Sequence, residues 1–205
     1  MARLSAALVA SSGDETAIID DGGSVTWRVF DERVNRCLDG LRGRGHEAGD
    51  TIAVLSGNRR EFLEVTSALF HGGFLFPPIN CHLSPAEAAY IIDDSGATAV
   101  VADDRHLDLA VRAIGSCRRP IDLIVLGEVS APGVAAYEQI LADASPDEPP
   151  DQCLGAVMMY TSGTTGRPKG VRSTAMPLGG NIGLGELATQ GYLSLFGIEQ
   201  TGRSL

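Results

Sequence analysis

The chain has 205 residues, 44% hydrophobic and 20% charged, which is enough for one sizeable core and the start of another. Sixteen Lys and Arg against 26 Asp and Glu give a net charge of -10, a field that repels nucleic acid and anionic membrane surfaces and leaves any nucleotide to local donors. The N-terminal run is too short and polar for a signal peptide and no apolar run spans a bilayer, so a soluble cytoplasmic protein is expected, with no nucleic-acid partner and no membrane span.

Residues 3 to 10 read as a short helix, and Thr16 to Asp20 and Ser24 to Thr26 flank Asp21-Gly22-Gly23, the signal of an edge hairpin. Thr26 then serves as N-cap of a helix to about Arg44, with Phe30, Val34, Leu38 and Leu41 along one face and Gly43 and Gly45 at its end. Thr51 to Leu55 predicts a buried strand, and Arg60 to Phe70 a helix turning Phe62, Val65 and Leu69 inward before Gly72-Gly73. Phe74 to Pro78 reads as the next strand, cut off by its prolines. Ser84-Pro85-Ala86-Glu87 is a capping box with proline at the first helical position, opening a helix to about Asp94. Strand (Ala97 to Ala102), helix (Asp104 to Ile114) and strand (Ile121 to Leu126) continue an alternation that specifies an α/β fold, a parallel sheet with helices on both faces. A helix from Ala135 to Ala142 leads into residues 143–151, an acidic, proline-rich linker expected to lie in solvent. The resulting organisation is an N-terminal α/β subdomain over 1–150 and a strand-loop-helix segment over 152–205 that begins a larger domain.

Val157 to Tyr160 is an apolar run that reads as a buried strand emptying into a loop dense in glycine and small hydroxyls. Gly163 and Gly166 let backbone N–H groups turn toward an anion, and Thr161, Ser162, Thr164 and Thr165 add hydroxyl donors. Lys169 adds a compact charge and is the chain's single lysine beside fifteen arginines; against a phosphate the two side chains are not equivalent. The Walker A pattern is excluded, because counting on from Gly163 places its second glycine at Pro168.

Tyr160 to Val171, Y-T-S-G-T-T-G-R-P-K-G-V, resembles at every position the signature phosphate loop of the adenylate-forming superfamily: AMP-forming acyl-CoA synthetases, luciferases and nonribosomal peptide adenylation domains. Thr26 to Phe30, Gly49 to Asn58 and Leu83 to Ala97 resemble further segments of acyl-CoA synthetases, in the same order, so the resemblance covers most of residues 16 to 172. Arg172 to Met176 departs from the Thr-His segment that many relatives carry, which weakens any subfamily assignment. The resemblance implies that Thr161, Ser162, Gly163, Thr164, Thr165, Gly166 and Lys169 hold the phosphates of ATP. In the complete enzyme it implies Mg2+ and CoA as cofactors and a carboxylic acid, fatty or otherwise aliphatic, as substrate. Aryl or amino acid adenylation is the alternative within the family, and a non-catalytic remnant or phosphate-binding module the alternative outside it.

The family's adenine loop, ribose aspartate, hinge and catalytic lysine come later than Leu205. No catalytic residue is therefore expected in this chain, which by itself should not form acyl adenylate. An apolar stretch over Ile182 to Ile198, whose partners in relatives come from later sequence, is expected to invite self-association. The remaining polar residues read as structural. His46, His71, His82 and His106 lack triad or metal spacing; Asp93-Asp94 and Asp103-Asp104 read as solvated helix ends rather than Mg2+ ligands; Cys37, Cys81, Cys117 and Cys153 read as buried free thiols, without zinc or disulfide spacing.

Overall fold

The computed structural model describes residues 9–129, 133–161, 167–172 and 178–183. Residues 9–12 are helical, while the rest of the expected first helix, residues 162–166 of the loop and residues 184–205 of the apolar C-terminal stretch lie outside the described residues. Strands β1 (Thr16–Asp20) and β2 (Gly23–Thr26) form the expected antiparallel hairpin. Helix α1 (Trp27–Gly43) follows at once, because the Thr26 hydroxyl accepts from the Val29 N–H and so satisfies one of the free donors at the helix start. Phe30, Val34, Leu38 and Leu41, spaced at helical intervals, are all buried.

The central sheet consists of β3 (Ile52–Leu55), β5 (Ala99–Asp103), β6 (Asp122–Leu126) and β7 (Ala135–Ala136), all parallel and in the order β3-β5-β6-β7. Side chains alternate across it as strand geometry requires. Ile52, Val54, Ala99, Val101, Ile124 and Leu126 pack with α1, α2 (Arg60–His71) and α5 (Tyr137–Asp143). Ala53, Leu55, Val100, Ala102, Leu123 and Val125 pack with α3 (Pro85–Ser95) and α4 (Leu107–Ile114). Helices thus cover both faces, and residues such as Leu38, Leu69 and Ile92, with no exposed surface, contribute about 1.5–3 kcal/mol each.

A second sheet has the order β4-β8-β9, from β4 (Leu75–Phe76), β8 (Ala156–Thr161) and β9 (Lys169–Arg172). Strand β4 pairs in parallel with β8, while bridges Thr51 to Leu75 and Val54 to Pro78 lay it against the β3 edge. The spatial sequence across both sheets is therefore β9-β8-β4-β3-β5-β6-β7.

Several local readings need correction. Ala135-Ala136 is a strand beside β6 rather than the first turn of a helix, which begins at Tyr137. The strand read over Phe74 to Pro78 shrinks to two residues, and Asp104–His106 is a 3-10 turn preceding α4. Strand β8 is not buried: Val157 and Met159 are exposed on one face while Ala156 is buried on the other. The linker is largely exposed but is strapped to α1. Arg36 donates to the carbonyls of Leu141 and Ala144, the Ser145 N–H donates to Asp39 at 2.9 Å, and Arg42 pairs with Asp151 at 2.8 Å. Gly155 then threads between the Leu69 and Phe74 carbonyls, where a Cβ would collide with both.

Candidate functional site

Two places in this fold could receive a ligand. Open α/β sheets bind ligands beyond the carboxyl ends of the strands where the strand order reverses. Here the chain runs from β3 out to β4 and then back across to β5, so the reversal lies between β3 and β5. A crevice of about 580 Å3 does open there, lined by Gly57, Asn58 and Arg59 after β3 and by Asp103 to His106 after β5.

Most of its donors, the Arg105 guanidinium excepted, are already taken by the chain's own carboxylates. Asp103 Oδ2 accepts from the Gly57 N–H at 2.8 Å and the Ser56 hydroxyl at 3.3 Å, while Oδ1 accepts from the His106 N–H at 2.9 Å and lies 2.5 Å from His106 Nδ1. Arg59 pairs with Glu61 and Asp104, Arg60 with Asp20, and Arg33 with Glu138 and Glu64. Burial opposes ionisation of Asp103, but the Gly57 N–H and His106 outweigh it and hold the carboxyl below its ordinary value. Asp103 is thus buried, at 2% exposure, not a solvated helix end.

Behind the crevice Glu64, with no exposed surface, accepts from Arg33 Nε at 2.7 Å and from the Tyr137 hydroxyl at 3.0 Å. Burial prevails over these partners and raises its carboxyl above the ordinary value. His46 is buried against Asp122 at 3.2 Å, and all four cysteines are free thiols, Cys37 fully buried and pushed up to about 12 by desolvation. Asp93 pairs with Arg118 at 3.0 Å. Among the described residues no three His, Cys, Asp or Glu side chains come together as a metal cage.

The second place is the mouth of the β8–β9 hairpin. Its register pairs Met158 with Arg172, Met159 with Val171, Tyr160 with Gly170 and Thr161 with Lys169. Directly paired residues share a face, so the structure brings Thr161 and Lys169 together, both exposed, at the two ends of the loop. Ser162, Gly163, Thr164, Thr165 and Gly166 lie outside the described residues. Gly170 leaves room for the Tyr160 ring, since a Cβ there would lie 3.1 Å from it and would displace the Met158 Cε methyl. Its absence lets the ring cross β9 and place its hydroxyl 2.8 Å from Asp94 Oδ2 on α3. Burial first, and the Asp94 carboxylate second, push that hydroxyl upward, so it stays a donor at neutral pH.

On the outgoing arm the Tyr90 hydroxyl donates to the Pro168 carbonyl at 3.1 Å, and the Arg167 guanidinium lies 5.4 Å from the centre of the Tyr90 ring. Sequence patterns alone give Tyr90 and Arg167 no role and read Asp94 as a solvated helix end. The available signal was the four-residue spacing of Tyr90 and Asp94, which puts both on one helix face.

Residues 6–181 match the family described as AMP-binding enzyme. A feruloyl-CoA synthase of an Amycolatopsis species is 34% identical over 164 residues, covering 78% of this chain and 30% of that protein. A long-chain-fatty-acid–CoA ligase of Thermus thermophilus is 34% identical over 147 residues, 71% of this chain and 27% of that protein. Among solved structures, an anthranilate CoA ligase in complex with anthranoyl-AMP superposes with a TM-score of 0.73 at 22% identity, over 81% of this chain and 33% of that one, a likeness of fold. The chain spans about 30% of the length of the curated relatives it matches first.

Proposed function

The chain belongs to the AMP-binding enzyme family, and from that premise we propose that it supplies the phosphate-gripping part of an ATP-dependent acid–CoA ligase. In the complete enzyme a carboxylate attacks the α-phosphate of ATP, acyl-AMP forms and pyrophosphate leaves. The CoA thiol then attacks the acyl carbon and AMP leaves. The role assigned to Thr161 through Gly166 and to Lys169 is to hold the β- and γ-phosphates, with Mg2+ arriving on ATP rather than in a protein cage. Residues 1–150 act as the N-terminal α/β subdomain and 152–205 as the start of the remainder. The cytoplasm is the proposed location; no helix among the described residues is long and apolar enough to cross a membrane.

The observation that carries this reading is the pairing of Lys169 with Thr161 at the open end of the hairpin. A lone ammonium and a hydroxyl start there from neighbouring backbone positions, beside a string of glycines and hydroxyls. A few exposed charge-assisted contacts of about 1–3 kcal/mol each, less the cost of ordering a glycine loop, give a dissociation constant on the order of 1 mM. Titrating ATP, GTP and inorganic triphosphate into the chain and following the NMR spectrum tests this. All three should bind weakly and alike, and no response to any of them would overturn the proposal.

The acid we propose is aliphatic, with aryl and amino acids as competing readings. The Thermus relative is named for long-chain fatty acids and the Amycolatopsis relative for ferulate, at the same 34% identity. The 205 residues hold one lysine and span about 30% of such relatives. We therefore expect no acid-dependent pyrophosphate exchange from this chain alone, and clear exchange with any acid of a mixed panel would refute that expectation.

A further inference from the structure

Helix α3 is capped at both ends. The Ser84 hydroxyl accepts from the Glu87 N–H while Glu87 Oε2 accepts from the Ser84 N–H at 2.8 Å, and Gly96, with φ +76°, stops the helix in the left-handed conformation that glycine tolerates. Ala88, Ala89, Ile91 and Ile92 are buried in the core. The four-residue interval between Tyr90 and Asp94 sets both on a different side, and both are spent on the hairpin. Asp94 takes the Tyr160 hydroxyl on the strand entering the loop, and Tyr90 takes the Pro168 carbonyl and stacks under Arg167 on the arm leaving it.

Resting on the phosphate-binding reading above, we propose that Tyr90 and Asp94 are positioning residues for that site. From one face of α3 they hold the two stems of the loop and so set where the Lys169 ammonium is presented. The physical reason is entropic. Any freedom a loop loses on closing round an anion subtracts from affinity, and stems already fixed at both ends have less to lose. The Tyr90 bond acts on the residue adjoining Lys169, and Pro168 contributes a fixed φ of its own. The Tyr160 bond acts on the residue adjoining Thr161. Neither tyrosine nor Asp94 needs to touch phosphate to do this.

Chains grown with 15N-lysine carry one labelled backbone amide, at Lys169, since the sequence holds a single lysine. Inorganic triphosphate is the probe, and its dissociation constant is read from the shift of that amide. Tyr90→Phe and Tyr160→Phe each delete one hydroxyl without changing charge, and each should weaken triphosphate about threefold to tenfold. Asp94→Ala, which removes the acceptor of the Tyr160 hydroxyl, should weaken triphosphate by a similar factor, and Asp94→Asn, which keeps an acceptor, by less. Ser84→Ala removes the cap of the same helix, lowering its stability by a comparable amount, and should leave affinity within about twofold.

If Lys169→Ala, which carries no labelled lysine and is followed instead by the 31P signal of triphosphate, loses triphosphate while both tyrosine variants bind like the parent, the positioning role is refuted and the phosphate reading stands. Should Ser84→Ala weaken binding as much as Tyr90→Phe, helix stability rather than the two contacts sets the affinity, and the role is again refuted. An amide that ignores triphosphate in the parent chain removes the phosphate reading, and the positioning role falls with it.

Discussion

The crevice at the carboxyl ends of β3 and β5 and the mouth of the β8–β9 hairpin offer the same raw materials, backbone N–H groups beside cationic side chains, yet they are finished in opposite ways. In the crevice the Gly57 N–H already has an anion, the buried carboxylate of Asp103, and Arg33, Arg59 and Arg60 are each paired with an acid. At the hairpin Thr161 and Lys169 stand exposed in register. A rule of topology alone would send a ligand to the crevice. Most of the crevice's donors are satisfied, with Arg105 the exception, and that balance favours the hairpin. Substitutions in the crevice should therefore cost stability and leave binding alone, and substitutions at the hairpin should do the reverse.

The largest effect is expected behind the crevice. Glu64→Ala leaves the Tyr137 hydroxyl and Arg33 Nε without their acceptor and opens a hole in a site with no solvent, for a loss of roughly 3–5 kcal/mol in denaturant unfolding. Triphosphate affinity, measured where the variant is folded, should not change.

Asp103→Ala should follow at roughly 2–3 kcal/mol, because the Gly57 and His106 N–H groups lose their acceptor. It is also the variant best able to break the comparison. If it kept its stability and began to bind triphosphate at the crevice, the carboxylate would have been masking a ligand site. The expected result is the loss of stability with no new binding.

Lys169→Ala reverses the pattern, with triphosphate weakened more than tenfold, at least about 1.4 kcal/mol, and unfolding free energy changed by no more than about 0.5 kcal/mol. The same titration in added salt should show binding fall steadily, since the charge is exposed.

The smallest effect is on pH. The Asp20 carboxyl is lowered from 3.8 to about 2, chiefly by its hydrogen bond from Arg60, and Asp103 also lies below its ordinary value. Groups with depressed values contribute stability that is complete above the unfolded value near 4 and lost as pH falls toward 2. Glu64, raised by burial, has the opposite sign: its contribution is complete in acid, below the unfolded value, and fades as pH rises through the raised one. Denaturation midpoints should fall below pH 4 in the parent chain, and by less in Asp20→Asn.

Much of the fold was legible because it repeats. The Phe30, Val34, Leu38 and Leu41 interval, the Ser84 to Glu87 box and the apolar strands alternating with helices are local patterns, and each predicts its element without a partner. What was illegible depends on residues far apart in the chain. No local pattern marks Glu64, because its partners Arg33 and Tyr137 are 31 and 73 residues away. Asp103 looked like one of two solvated acids, although a strand ending in Asp-x-x-His can cap the turn that follows, as it does here. The exposure of β8 could not be read from its apolar run, because hydrophobicity does not say whether a strand is covered on one face or two. Of the site, the chemistry of the loop was legible and its fastening to α3 was not.

The parallel pairing of Leu75 with Ala156 has a consequence in time. On a ribosome, chain emerges at roughly 5–20 residues per second, so β4 leaves the tunnel roughly 4–16 s before the strand it pairs with, far longer than a helix or hairpin needs to form. During that interval β4 can lean on β3 through the Thr51 and Val54 bridges, but its other edge has no neighbour. Synthesis thus passes through a stage in which one strand edge waits open for β8, and that edge is where nascent-chain chaperones would be expected to act.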